Sequence, residues 1–263
     1  MVFGFFEKKQ LLEEDNIIWM FDTYAWALRN FNANVFFNET ILVTPSNKHF
    51  PGEENTAEGM ANIIFEQVKR YAGMTHWPTR LVNDADIVSL PKPQIEIKGA
   101  LRGSKGEISV PDDDSQRITV TYNEFQLNDP EVLIATYAHA LAHYLSTTTK
   151  DAPPGGIDNW AFATELLAVF LGFGVIMANS ANTSKIRSCG SCSGPAIERT
   201  NFLTQFDTTY ALAIFCHLKQ IPSSDVTPML KKSLRSFYKN AVKDIASRTK
   251  ETQALATFTN ALN

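Results

Sequence analysis

"LNDPEVLIATYAHALAHYLS", Leu127 to Ser146, is the stretch on which the fold turns. Asp129 is a good N-cap, Pro130 fits the first helical position, where its missing N–H costs nothing, and Glu131 suits the positive end of the helix dipole. The spacing therefore predicts a helix. Two of the chain's five histidines, His139 and His143, stand four apart on it. Residues so spaced lie one turn above each other, so both imidazoles project from one face toward a single point. That is metal-ligand geometry, although an HxxxH pair also arises in helices as an ordinary surface or capped pair.

The chain then breaks at "TTTKDAPPGG", Thr147 to Gly156, and "IDNWAFATELLAVFLGFG" starts another helix with Asp158 as a plausible cap. Glu165 falls near its middle, beside Leu166, Leu167, Val169 and Phe170. A carboxylate in such surroundings is costly to bury unless a cation or hydrogen-bond donors meet it. A zinc ion on His139 and His143 would meet that need, giving the three-ligand catalytic arrangement with one position left for water.

Composition limits what else the chain can be. At 263 residues, 44% hydrophobic and 20% charged, it can bury one large core, divided into two lobes at most. A net charge of -4 and the lack of a long Lys/Arg run disfavour nucleic acid as a partner. The longest apolar run, Leu166 to Ala178, is shorter than the roughly 20 residues a bilayer needs and holds two glycines, so no membrane span is expected. "MVFGFFEKKQ" has the reverse order of a secretory signal. Three cysteines are too few for a disulfide framework, and the expected location is the cytoplasm.

Upstream, Asn16–Phe31 and Thr56–Tyr71 show helical spacing, while the β-branched "TILVTP", Thr40 to Pro45, reads as a short strand and "MTHWPTRLV" as irregular. "QIEIKGA", "GEISV" and "RITVTY" (Arg117 to Tyr122) predict two or three short antiparallel strands. Further helices are expected around Tyr210–Leu218 and Met229–Ser247, with residues 177–201 as a long surface loop. The expected class is α+β: residues 1–150 form a lobe with a small, mostly antiparallel sheet and the HxxxH helix, and residues 151–263 a helical lobe with the third ligand.

"EVLIATYAHALAHYLS" resembles the HExxH active-site helix of zinc metallopeptidases, and "NWAFATELL" the glutamate-bearing second helix of the thermolysin-like gluzincins. From "TPSNKHFPG" through "TELLAVFLGFGVIMANSA" to "YALAIF", the chain is similar to an uncharacterised bacterial family with a zincin-like motif. The resemblance implies a zincin-like fold, a zinc cofactor and a peptide or protein substrate. In the family pattern a glutamate after the first histidine handles the proton of the metal-bound water; here that residue is Ala140. A methyl group accepts no proton, so the chain as it stands is expected to lack peptidase chemistry. Either alanine is native to a pseudoenzyme, or it replaces a glutamate in an inactivated peptidase. Gluzincins also often carry two acids four apart, and the position four before Glu165 is Ala161. The third ligand is then Glu165 itself, or Asp158 takes a ligand or supporting role. Tyr144, Tyr210 and His217 are possible oxyanion donors, and "RITVTY" is the strand expected beside the active-site helix. The rival functions are a noncatalytic interaction or regulatory module on the same scaffold and a purely structural helical protein.

Other candidates carry less. Cys189 and Cys192 have CxxC spacing without a second pair, and Cys216 reads as a core residue beside His217. His49 and His76 read as solvated loop histidines, and Asp112–Asp114 as a solvated hairpin tip.

Overall fold

The computed structural model describes residues 10–86, 97–108, 117–181 and 202–260. Cys189, Cys192, Asp112–Asp114 and most of the expected 177–201 loop lie outside them; residues 177–180 continue a helix.

Helix α1, Glu14–Asn30, buries Ile17, Met20, Phe21, Tyr24, Ala27 and Leu28, the three-and-four spacing of one apolar face, and opens with Glu14 and Asp15 at its positive end. After the short α2, Ala33–Asn38, comes α3, Ala57–Ala72, capped by Thr56, whose hydroxyl accepts from the Gly59 amide at 3.0 Å. Gly73 ends α3 in the left-handed region at φ 73°. A Cβ there would stand 2.9 Å from the Gly103 nitrogen, so glycine permits both the turn and the close crossing of residues 102–103.

Strand β1, Thr79–Asn83, pairs in parallel with β4, Ile118–Tyr122, in the register Thr79 to Ile118. This corrects the expected antiparallel sheet and turns the supposedly irregular "TRLV" into a strand. Parallel partners need a long crossover, and the chain between β1 and β4 supplies it. The expected antiparallel hairpin is there but holds only β2, Lys98–Gly99, and β3, Gly106–Glu107. The class is mixed helix and sheet, with helices dominant.

Helix α4, Pro130–Ser146, is buried almost all round. A second helical passage runs back along it: α5, Trp160–Ala168, a five-residue π turn, Val169–Phe173, and α6, Gly174–Ser180. Its ends are tied to opposite ends of α4. The Trp160 indole donates to Ser146 Oγ at 2.9 Å, and the Asn179 amide donates to Glu131 at 3.1 Å. Residues Ile157–Ser180 are long and apolar enough to cross a bilayer, but 89% of their most apolar window is buried inside the protein.

The "TILVTP" segment forms no strand. Thr40–Thr44 crosses the second passage at its π turn, where the Val43 amide donates to the Gly172 carbonyl at 2.9 Å. Thr40 and Val43 are buried there, while Ile41 is exposed. Helices α7, Gln205–Leu218, α8, Ser223–Val226, α9, Lys232–Ser247, and α10, Thr249–Asn260, complete the chain. α7 is buried from Asp207 to Cys216 against α6 and α9. α10 packs on α1, and Tyr24 donates to the Ala211 carbonyl at 2.8 Å, so residues on both sides of position 150 share one core.

Candidate functional site

Asp129 caps α4 by accepting from the Val132 amide at 3.4 Å, and the helix stays regular through both histidines. His139 is half-buried and His143 exposed, on the shared face that their spacing requires, with Cβ atoms about 5–6 Å apart. The surroundings of His143 still remove enough water to hold its imidazole below the ordinary histidine value. It therefore stays neutral, the form that ligates metals. Ala140, 7% exposed, adds a methyl group to the same turn.

The linker between the two helices is fixed from outside. On α1, the Trp19 indole donates to the Pro154 carbonyl at 2.8 Å and the Trp26 indole to the Asp151 carbonyl at 3.1 Å. Asn159 also donates to Pro154, at 3.2 Å, and Thr149 to Asn30, at 2.7 Å. Ser146 receives Trp160 and passes its own proton to the His143 carbonyl at 2.7 Å. Composition marks these tryptophans only as core or interface residues. Their positioning role depends on contacts across 135 and 125 residues, which local pattern does not reveal.

Glu165 is 2% exposed, as an acid on an apolar helix must be to need help. One donor is the Leu203 amide, which gives to Oε2 at 2.8 Å. Leu203 immediately precedes α7, whose capping box joins Thr204 and Asp207. One turn earlier, Phe162 meets Phe202, with ring centroids 5.6 Å apart. This face of α5 thus grips the entry to α7. Asp158 is exposed in the 3-10 turn Ile157–Asn159.

Among the described residues, no three His, Cys, Asp or Glu side chains are gathered as a metal ion requires. The two histidines share one face of α4, Glu165 is buried on α5, which packs on α4, and Asp158 is exposed before the start of α5. Two imidazoles fill half of a tetrahedral shell. A zinc held there would need a third donor from outside the histidine helix.

The oxyanion candidates are separated as well. Tyr144 donates to the Thr119 carbonyl at 3.1 Å. Because the Ile118 amide donates to Pro78, alternate residues of β4 face β1, and Thr119 and Thr121 face the other edge, where Tyr144 reaches. β4 therefore lies beside α4. Tyr210 is fully buried and donates to Asp244 at 2.7 Å, and Asp244 also receives Arg248. Its proton is committed between α7 and α9. His217 is exposed in the last turn of α7, two residues before Lys219, which donates to the Phe36 and Phe37 carbonyls at 2.8 and 2.5 Å and caps α2.

The loop histidines are not solvated. His49 is buried with Nδ1 accepting from the Thr44 amide at 3.0 Å and its ring edge-on to Tyr71, and burial lowers its pKa. His76 is buried beneath Gly106, where a Cβ would stand 2.2 Å from the imidazole, and burial lowers its pKa too. Cys216 is a buried free thiol, pushed up to about 12 by burial, which agrees with a core role. Comparison of the chain with protein-family models, with curated proteins and with solved structures finds no match.

Proposed function

We propose that this chain is a catalytically silent relative of the HExxH metallopeptidases, a cytoplasmic module that binds a peptide or protein without cleaving it. The observation that carries the reading is the bond between Glu165 and the Leu203 amide, which gives the buried acid a structural partner. Two alanines support it. Ala140 stands where the family pattern has its general base, and Ala161 stands where gluzincins often carry an acid four before the one at Glu165.

A second reading, an inactivated zinc peptidase, is favoured by the regular HxxxH helix with its cap and by the low pKa of His143. One experiment separates them: zinc content of the purified chain by mass spectrometry, with cleavage of a proteome-derived peptide library by Ala140→Glu. The expected result is well under one zinc per chain and no cleavage. Stoichiometric zinc together with cleavage by Ala140→Glu would overturn the proposal in favour of the peptidase.

A further inference from the structure

Between α1, the start of α5 and the entry to α7 lies an open cleft of about 200 Å³. Its walls are Trp19, Phe162 and Phe202, with Asn16, Asn159 and Asp207 between them. Phe162 and Phe202 are 36% and 41% exposed, and they pack edge to face at its mouth. Apolar rings offered to water in a concavity mark a recognition site far better than single exposed side chains do. The volume is below the roughly 300–1,000 Å³ of small-molecule pockets, so it suits one or two side chains of a larger partner.

Acidic side chains stand in its wall and on its rim. Asp207 stands in the wall, and Asp15 and Asp22, both exposed, flank Trp19 at four before and three after. Asp158, also exposed, precedes Phe162 by four. Among the described lining residues there is no Lys or Arg.

We infer that this cleft receives a segment of another protein that presents a bulky apolar side chain between lysines or arginines. The aromatic walls take the apolar side chain, and the rim carboxylates select the flanking cations and speed the encounter. The site does not use the histidine pair, and it holds whether or not zinc binds there.

The test is fluorescence anisotropy of a labelled peptide, Lys-Lys-Leu-Phe-Lys-Lys, titrated with the full chain, beside its twin carrying glutamate for lysine. The cationic probe should bind about tenfold more tightly than the twin. Phe162→Ser should weaken it about tenfold, and Asp15→Asn with Asp22→Asn about threefold with a flatter salt dependence, with the native circular dichroism spectrum retained in each variant. Equal binding of the two probes, or no effect of Phe162→Ser, would reduce the interaction to adsorption and overturn the proposal. A tenfold gain in probe affinity on deleting residues 1–9 would also overturn it. The cleft would then belong to the chain's own Phe3, Phe5 and Phe6 with Lys8 and Lys9.

Discussion

Glu165 shows how one buried charge can be satisfied in two ways. Its apolar neighbours demand a partner, and either a cation or a backbone amide answers that demand. The Leu203 amide meets one of its two oxygens, Oε2. Glu165→Gln keeps an acceptor oxygen in place and is expected to cost under about 1 kcal/mol, whereas Glu165→Leu strands a buried N–H and is expected to cost about 1–3 kcal/mol. Urea unfolding of both variants measures the difference. Equal damage by Gln and Leu would mean that the negative charge itself is needed, and so that a cation is bound. The histidine spacing was legible from the sequence because His139 and His143 share one helix with a readable cap. The partner of Glu165 was not, because Leu203 lies 38 residues further on, and no local pattern joins the two.

Among the elements, the long helices were readable for the same local reason: Thr56 and Asp129 cap them, and their apolar faces repeat every three to four residues. Strands depend on distant partners. "TRLV" gains its strand only by pairing with "ITVTY", and "TILVTP" loses its own by crossing the π turn. That crossing needs Gly172, which has φ 103° and whose added Cβ would stand 2.2 Å from the Ile41 carbonyl oxygen. Gly156 faces open space but has φ 81° with ψ -163°, a region that hardly any residue but glycine enters. Gly156→Ala should therefore cost only the backbone strain, about 1–3 kcal/mol. Gly172→Ala adds a backbone collision and should cost about 3 kcal/mol or more. Denaturant midpoints of the two variants test this comparison. Similar losses would show that the Thr40–Thr44 segment shifts freely and does not fix the bend.

At the scale of the whole molecule, long-range ties close the chain on itself. Arg248 joins Asp244 to Glu14, at 2.7 and 2.6 Å, linking the end of α9 to the start of α1. Arg102, fully buried, donates to Ala72 and Thr40 and lies over Phe170, holding three segments together, and burial lowers its pKa to about 9. The histidines set the acid limit of this assembly. Burial lowers the pKa values of His49, His76, His143 and His217 in the folded protein. The unfolded chain titrates near the ordinary value of about 6.5, so below that pH it takes up protons before the folded protein does. The histidine contribution to stability should thus be flat above about pH 7 and fall as pH drops through about 6.5 toward the folded values. For His49 the loss of water is the larger effect, and the Thr44 carbonyl, 3.3 Å from Nδ1, opposes it. Unfolding free energies measured by urea across this range should show the decline, and His49→Asn should make it shallower. Stability that stays level or rises down to about pH 5 would mean that these imidazoles gain acidic partners on protonation.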